Sequence, residues 1–246
     1  MKFITGSVVG KRIWGDGLFT LQVAAPGVAA FEAGQYLQVG VARPEKHVHR
    51  PYSVASPHGE TLDFFIVRVD DGRLTPTLWS LTIGDRVDVS EKAIGSFTLS
   101  QVHRGEDLWL VSTGTGLAPY VAMLRESRIW ERFSNVHIVH GVRHAGDLAY
   151  QDEMAAYRQK YGSRFAYLPA VSRERTDGAL FGRIPTVLAG GQLEQAAGRV
   201  ITPQHSAVML CGNPSMLEEM QKVLESRGLT RHTHKEPGNI IVERYW

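Results

Sequence analysis

Apolar and polar residues alternate in short runs over the first hundred positions, which is the pattern of half-buried β-strands. Alternating runs occur at positions 19–23, 35–41 and 85–89, and turn-forming residues separate them from a run at 51–55 and a more apolar run at 62–69. Helical periodicity is almost absent from this region. Short strands at this spacing predict an antiparallel six-stranded β-barrel, which we place over residues 1–101.

One short helix interrupts the predicted barrel after Gly72. Thr75 is a favourable N-cap and Pro76 suits the first helical position. Leu78 and Leu81 then fall on one face of the helix. The free N–H groups at the start of such a helix can bind an anionic group.

From residue 107 onward, continuous apolar runs alternate with helical segments. The run 107–112 is typical of a parallel strand that is covered on both faces. Further strands are predicted over 136–140, 164–171, 207–211 and 239–244, and helices over 119–131, 150–161, 185–189 and 214–227. This alternation predicts a doubly wound α/β domain with a parallel sheet over residues 102–246, with the boundary between the domains at 100–105.

The amino-acid composition mainly excludes classes of partner, cofactor and covalent cross-link. The 246 residues suit two domains, and 27 Lys and Arg nearly balance 25 Asp and Glu, which gives no argument for nucleic-acid or membrane partners. One cysteine excludes an intrachain disulfide and a cysteine-ligated iron–sulfur cluster. The histidines lack metal-ligand spacing, and no secretory signal or membrane span is recognisable. We therefore expect a cytoplasmic protein with no metal site.

A glycine-rich turn follows the first predicted parallel strand. Gly114 and Gly116 permit a tight turn and a close approach of backbone N–H groups to a pyrophosphate. Pro119 opens the following helix, whose dipole faces the same point. The dinucleotide fingerprint is incomplete, because Pro119 stands where its third glycine would be. The location of the turn between an apolar strand and a helix nevertheless favours phosphate binding.

Three arginines follow the carboxyl ends of predicted strands, namely Arg143, Arg173 and Arg183. NAD enzymes usually place an acid after the second strand to bind the ribose 2′-hydroxyl, but here no acid follows until Asp147. Arginine suits bidentate phosphate recognition. We therefore predict that these arginines bind the 2′-phosphate of NADPH, the alternative being that all three are solvated loop residues.

In the predicted barrel, one extended stretch combines a cation, an aromatic ring and a hydroxyl at Arg50, Tyr52 and Ser53. A flavin needs such groups for its pyrophosphate, its ring and its N5 atom. Each is common by itself, and Tyr52 alone is more readily explained as a core residue than as a cofactor contact.

Together these motifs resemble the ferredoxin–NADP reductase family, in particular its bacterial subclass. The resemblance covers nearly the whole chain and rests on five segments: Arg50-Pro-Tyr-Ser53, Gly72-Arg-Leu-Thr-Pro76, Gly114-Thr-Gly-Leu-Ala-Pro119, Cys211-Gly-Asn-Pro-Ser-Met216 and Val242-Glu-Arg-Tyr-Trp246. The sequence departs from the commoner family pattern at Pro51 and at Gly95-Ser-Phe-Thr98, a weak form of the flavin-diphosphate segment.

The resemblance implies FAD and NADP(H) as cofactors. FAD would contact Arg50, Pro51, Tyr52, Ser53, Ile66, Val67, Arg68, Leu74, Thr75, Thr115, Tyr245 and Trp246. NADP(H) would contact Gly114, Thr115, Gly116, Pro119, Val142, Arg143, Ser172, Arg173, Arg183, Cys211, Gly212, Asn213 and Met216. In this arrangement a carboxyl-terminal tail returns to the flavin, with Trp246 on the adenine.

The resemblance also implies that Ser53, Cys211 and Glu243 take part in catalysis. Structural alternatives stay open at three positions. Cys211 is equally a small residue that ends a buried strand. Met216 is more readily explained as a helix-packing residue than as a cofactor contact, and Glu243 is equally an ordinary surface residue.

The activity implied is hydride transfer from NADPH to FAD, followed by reversible transfer of single electrons to ferredoxin or flavodoxin. The enzyme would act as a monomer, with an acidic protein partner and no nucleic-acid or membrane partner. One alternative keeps the fold and changes the acceptor: an NAD(P)H reductase component of an oxygenase, or a flavin or ferric reductase. A remote alternative is a non-catalytic flavin or nucleotide sensor.

Overall fold

The structure, a computed structural model, describes residues 1–41, 48–233 and 235–244. The chain forms two compact units. The first comprises Met1–Leu99 and Ala118–Glu126, and the second comprises Ser100–Leu117 and the chain from Ser127 onward. The domain boundaries predicted from the sequence stay a prediction.

The first unit is built on a six-stranded antiparallel sheet in the order β4-β3-β6-β1-β2-β5. An antiparallel bridge between Val54 and Phe64 joins the two outer strands of that order, so the sheet closes on itself. Its strands are β1 (Phe3–Gly15), β2 (Leu18–Ala24), β3 (Tyr36–Val41), β4 (Val48–Ser53), β5 (Thr61–Val67) and β6 (Arg86–Ser90), and its short helix is α1 (Thr75–Ser80). The interior is filled by apolar side chains such as Phe19, Leu37 and Phe64.

Two details of the first unit differ from the sequence predictions. The long strand β1 was not predicted, because its pairing with β2 shifts register between Val8 and Gly10 and again between Ile13 and Gly15. Such bulges break the period of two on which a strand prediction rests. Thr75 is not the N-cap of α1: Leu74 occupies that position, and the Thr75 hydroxyl instead accepts from Val69 N at 2.9 Å.

The second unit is built on a six-stranded parallel sheet in the order β10-β9-β8-β7-β11-β12. Its strands are β7 (Asp107–Thr113), β8 (Asn135–Val142), β9 (Phe165–Val171), β10 (Leu180–Phe181), β11 (Ser206–Gly212) and β12 (Ile240–Arg244). The strand order runs outward in both directions from the β7–β11 pair, which makes this pair the topological switch point. In open α/β sheets, ligands bind outside the carboxyl ends of the strands at such a point.

The helices that follow β7 in the chain are α2 (Ala118–Leu124), α3 (Ser127–Arg132), α4 (Gln151–Tyr161), α5 (Ile184–Ala189), α6 (Gln192–Ala197) and α7 (Pro214–Ser226). The single helix predicted over 119–131 is therefore two helices, α2 and α3. Arg125 follows α2, and its guanidinium donates to Asp63 at 2.8 Å within the first unit. The short elements β10 and α6 were not predicted. None of the described helices is long and apolar enough to span a membrane.

Candidate nucleotide-binding sites

The glycine-rich turn lies against the end of β11 at the switch point. A Cβ on Gly116 would lie 2.7 Å from the Cys211 carbonyl oxygen, so the two backbones approach more closely than a side chain allows. Gly212 adopts φ +132°, a conformation that favours glycine. The Asn213 amide donates to Thr113 Oγ1 at 2.8 Å. The predicted residues Gly114, Gly116, Cys211, Gly212 and Asn213 therefore come together at the carboxyl ends of two neighbouring strands.

Asn213 also caps helix α7. Its Oδ1 accepts from Ser215 N at 3.0 Å and from Met216 N at 3.4 Å, which satisfies free donors at the helix start. The Met216 side chain is 4% exposed and lies in the core of the second unit. Its packing role accounts for the side chain, so a contact with NADP(H) would fall to its backbone.

Arg143 and Arg173 are neighbours at the carboxyl ends of β8 and β9. The Arg173 amide donates to the Arg143 carbonyl at 3.0 Å. Next to them, both the amide and the hydroxyl of Ser172 donate to the Val142 carbonyl, at 3.1 and 3.2 Å. Both arginines are exposed. Two exposed arginines on neighbouring strand ends, beside a serine, supply the charge and paired donors that a phosphate group needs.

Arg183 has a different setting from the other two arginines. It precedes α5, and its guanidinium donates to Glu219 at 2.7 Å and to the Ser215 hydroxyl at 3.3 Å, both on α7. The pair is exposed, with 54% of the Arg183 side chain and 41% of the Glu219 side chain accessible. A phosphate that binds Arg183 has to compete with this carboxylate.

Cys211 and Glu243 lie side by side, because they are register partners on the parallel strands β11 and β12. Cys211 is fully buried. Burial raises the pKa of Glu243 to about 8, and Glu243 Oε2 has no hydrogen-bond partner among the described residues. Glu243 is therefore not an ordinary surface residue. Its carboxyl group holds a proton at neutral pH.

The candidate flavin motif occupies the second half of β4 in the first unit. Arg50 and Pro51 are exposed, Tyr52 is half-buried against the barrel core, and Ser53 is buried. Burial raises the pKa of Tyr52 to about 12, although the charge of Arg50 acts in the opposite direction. Tyr52 therefore presents a neutral phenol. The Val54–Phe64 bridge sets this end of β4 beside β5.

The segment that follows β5 supplies the remaining predicted FAD contacts of this unit. Ile66 is buried, whereas Val67 is 45% exposed. The Arg68 guanidinium donates to Asp70 at 2.8 Å and lies over the ring of Trp79, 5.2 Å from its centroid. This unit therefore offers exposed apolar surface at Val67, an exposed cation at Arg50 and a partly exposed cation at Arg68. That combination fits FAD, which has a flat ring system and a charged pyrophosphate.

Two residues that the sequence analysis overlooked lie beneath the glycine-rich turn. His140 is fully buried, and its Nε2 lies 3.1 Å from the Gly114 carbonyl oxygen. Its Nδ1 lies 3.3 Å from the Tyr167 hydroxyl. The only sequence signal was a histidine at the end of a predicted strand.

Tyr245 and Trp246 lie outside the described residues. The described residues include no cluster of three or more potential metal ligands.

Comparison with known families agrees with this division of sites. Residues 17–98 match the family described as Oxidoreductase FAD-binding domain, and residues 110–222 match the Oxidoreductase NAD-binding domain. The two matches cover the candidate flavin motif and the parallel-sheet edge, respectively.

The chain is similar over nearly its whole length to proteins named as reductases. It is 40% identical to the flavodoxin/ferredoxin–NADP reductase of Escherichia coli K12, over 99% of each chain. It is 36% identical to the ferredoxin–NADP reductase of Azotobacter vinelandii, over 96% of this chain and 95% of that one. A crystal structure of a ferredoxin NADP+ reductase from Neisseria gonorrhoeae with bound FAD and NADP superposes with a TM-score of 0.94 at 29% identity and covers 100% of both chains.

Proposed function

Because the chain belongs to the flavodoxin/ferredoxin–NADP reductase family, we propose that it transfers electrons between NADPH and ferredoxin or flavodoxin through FAD. When bound, FAD supplies the conversion between a two-electron hydride and single electrons, which is the chemistry of the cofactor itself. The residues of the chain bind and orient the two nucleotides and hold protons at defined atoms.

The observation that carries the choice of NADPH is the set formed by Arg143, Ser172 and Arg173 at the carboxyl edge of the parallel sheet. Two exposed guanidinium groups supply charge and paired donors that match a phosphate monoester. NADH has a neutral hydroxyl at this position. NADH therefore cannot make the contact with the two arginines, and we expect it to bind more weakly than NADPH.

The acids that lie near this edge already have partners. The Asp147 carboxylate accepts from His144 N at 3.1 Å, and the Glu174 carboxylate accepts from Ala145 N at 2.7 Å. An enzyme that prefers NAD offers a free carboxylate to the ribose 2′-hydroxyl. The use of both acids in local backbone contacts supports the preference for NADPH.

On the flavin side, we assign Tyr52 as the ring that stacks on the isoalloxazine and Ser53 as the hydrogen-bonding group near its N5 atom. Arg50 supplies charge for the pyrophosphate, and Leu74 and Thr75 contact it from the start of α1. These assignments follow the family motif. They are supported by the neutral state of Tyr52 and the exposure of Arg50.

Cys211 and Glu243 are assigned to the nicotinamide end of the parallel-sheet site. A small buried side chain at Cys211 leaves room for a flat ring beside the strand end. Glu243 holds a proton at neutral pH, because its buried carboxyl group has a pKa of about 8. We assign it as a proton-holding group of the reaction. The carboxyl-terminal tail with Trp246 is assigned to the flavin adenine.

Location and assembly are part of the same proposal. We propose a cytoplasmic monomer whose protein partner is an acidic electron carrier. An oxygenase reductase component, or a flavin or ferric reductase, would differ in its acceptor: salt-dependent activity with ferredoxin that is absent with free flavin supports the proposal over these alternatives. Rapid turnover with an artificial acceptor excludes a non-catalytic sensor.

The test is to purify the protein, record its visible spectrum, and mix it without oxygen with NADPH and, separately, with NADH. We expect flavin absorption bands that are bleached much faster by NADPH. A colourless protein that FAD cannot reconstitute contradicts the reductase proposal, and equal bleaching by both nucleotides contradicts the assignment of the arginines.

A further inference from the structure

His140 has two polar partners in a fully buried position at the end of β8. It is 0% exposed, and its strand neighbour on β7 is Ser112. One ring nitrogen, Nε2, lies 3.1 Å from the Gly114 carbonyl oxygen, and the other, Nδ1, lies 3.3 Å from the Tyr167 hydroxyl. The ring therefore connects β9 to the glycine-rich turn.

The partners of His140 fix its tautomer. A carbonyl oxygen only accepts hydrogen bonds, so Nε2 carries the hydrogen that points at Gly114. In a neutral ring Nδ1 then has a lone pair and accepts from the Tyr167 hydroxyl. Burial lowers the pKa of His140 to about 4 and raises the pKa of Tyr167, which keeps both groups neutral at pH 7. The buried pair thus has one protonation state and one orientation.

The Gly114 carbonyl belongs to the same rigid peptide group as the Thr115 amide. Because the peptide bond is planar, a hydrogen bond that holds the Gly114 oxygen also holds the Thr115 N–H on the opposite side. Gly114 adopts φ +52° and opens the short 3₁₀ helix Gly114–Leu117, so the hydrogen bond from His140 adds to the i→i+3 backbone bonds of that turn in fixing this peptide. On its other side the turn is held where Asn213 N donates to Thr113 Oγ1.

We propose that His140, held by Tyr167, is a positioning residue that fixes the Gly114–Thr115 peptide for binding the pyrophosphate and nicotinamide half of NADPH. The inference rests on the proposed function. It adds a residue pair that does not itself touch the nucleotide. Its effect falls on the affinity for the part of the nucleotide that the turn binds, and not on the site at Arg143 and Arg173.

His137 provides a matched control on the same strand. It is 2% exposed, three residues before His140, and neither of its ring nitrogens has a hydrogen-bond partner among the described residues. Its ring stacks on Trp109 with the centroids 4.1 Å apart, away from the turn. Replacing it removes a buried histidine from the same strand but leaves the Gly114 contact in place.

The experiment compares His140→Leu, His140→Gln, Tyr167→Phe and His137→Leu in the FAD-loaded enzyme. Binding of NADP⁺ and of 2′-AMP, which lacks the pyrophosphate and nicotinamide, is measured by calorimetry. We expect His140→Leu to weaken NADP⁺ binding about tenfold, because the Gly114 carbonyl loses the donor that His140 supplies, with 2′-AMP binding unchanged within about twofold. His140→Gln restores a donor and most of the affinity. Tyr167→Phe weakens NADP⁺ binding about threefold, and His137→Leu leaves it unchanged.

Two further readouts separate positioning from a merely structural role. The KM for NADPH is expected to rise in His140→Leu while kcat at saturation stays within about twofold. Nitrogen NMR of the wild-type imidazole is expected to show the hydrogen on Nε2 of His140. A hydrogen on Nδ1 instead, unchanged NADP⁺ affinity in a folded His140→Leu, or equal loss of NADP⁺ and 2′-AMP binding overturns the inference. If the wild-type enzyme binds neither ligand, the proposed function itself fails.

Discussion

The two units of the chain assemble their candidate sites in different ways. In the parallel-sheet unit, the predicted NADP(H) contacts lie mostly within a few residues of a strand's carboxyl end, and all these ends meet at one edge. In the barrel, neighbouring strands are antiparallel and end at opposite edges, so the candidate FAD contacts come from one run on β4 and one segment after β5. The parallel topology therefore brings the NADP(H) contacts together from several strands, whereas the FAD contacts of the barrel come from residues that are close in sequence.

The two units also differ in the polar groups that they bury. The two histidines that are buried in the described chain, His137 and His140, both lie on β8 of the parallel sheet. The described residues of the barrel bury other polar side chains, such as Ser53, Asp63 and Ser90, but no histidine. A buried neutral histidine is a group that acid can charge, so the two units are expected to respond differently to pH.

The sharpest test of the comparison replaces Arg143 and Arg173 together with Ala. Each charge-assisted contact with phosphate is worth about 1.5–3 kcal/mol, and the exposure of both arginines favours the lower value. We therefore expect the ratio of kcat/KM for NADPH to that for NADH to fall about 100-fold. Flavin content is expected to stay unchanged, because the barrel is untouched.

Arg175→Ala is the control for this double variant. Arg175 is also an exposed arginine after β9, but its guanidinium lies over the ring of Phe181, 4.6 Å from the centroid. We expect its nucleotide preference to match that of the wild type. A double variant that keeps its preference for NADPH would show that the 2′-phosphate binds elsewhere.

The reciprocal change in the barrel is Arg50→Ala. Losing one exposed cation from the pyrophosphate contact is expected to weaken FAD binding about tenfold, which fluorescence titration of the apoprotein measures. Binding of 2′-AMP is expected to be unaffected. Arg12→Ala is the control, because Arg12 lies over the Trp14 ring, 3.8 Å from its centroid. Loss of 2′-AMP binding in Arg50→Ala would mean that the two sites are not independent.

How much of each site the sequence could predict follows from this contrast. The strand-end residues Arg143, Arg173 and Cys211 could be placed, because the periodicity located the strands and the parallel topology brings their carboxyl ends to one edge of the sheet. In the barrel, the motif at 50–53 was recognisable only as a local combination of residue types. The sequence could not show which of these side chains are buried.

Features that depend on side-chain geometry escaped prediction. The hydrogen bond of the Thr75 hydroxyl to Val69 is a loop contact that imitates a favourable N-cap in the sequence. The ion pair between Arg183 and Glu219 joins residues that are 36 positions apart in the chain. His140 looked incidental, because its partners are a backbone carbonyl and a tyrosine from the next strand. None of these contacts has a periodic signal.

The next effect in size concerns acid stability. Burial lowers the pKa of His137 to about 4, so between pH 6.5 and 4 the unfolded chain binds a proton at this site that the folded chain does not. The stability contributed by a neutral His137 is therefore complete above pH 6.5 and is lost as the pH falls. His137→Phe is expected to remove this loss and to be less destabilised than the wild type by about 1–2 kcal/mol at pH 5.

Hydrogen exchange of the separate strands locates this effect. Between pH 7 and 5, protection is expected to fall in β7 and β8 of the wild type and to fall less in His137→Phe. Glu243 acts with the opposite sign, because a carboxyl group whose pKa is raised to about 8 destabilises the fold as the pH rises above about 4.5. The difference between variant and wild type cancels that contribution. Equal acid sensitivity of both proteins would contradict the role of His137.

The smallest effect expected concerns the third arginine and sharpens the contrast within the parallel-sheet edge. Arg143 and Arg173 are available to an anion, whereas Arg183 already has the Glu219 carboxylate at 2.7 Å. Exposed ion pairs are worth about 0.2–1 kcal/mol, so Glu219→Gln is expected to tighten NADP⁺ binding only two- to threefold. Glu218→Gln, which changes the same charge one position earlier, is the control and should have a smaller effect.

Salt separates competition for Arg183 from a general change of charge. An exposed pair is screened at high ionic strength, so the advantage of Glu219→Gln is expected to shrink as salt is raised toward 1 M. If Glu219→Gln binds NADP⁺ more weakly than the wild type, the carboxylate orients Arg183 for the phosphate instead of competing with it. The third arginine would then be positioned by Glu219 before the nucleotide arrives.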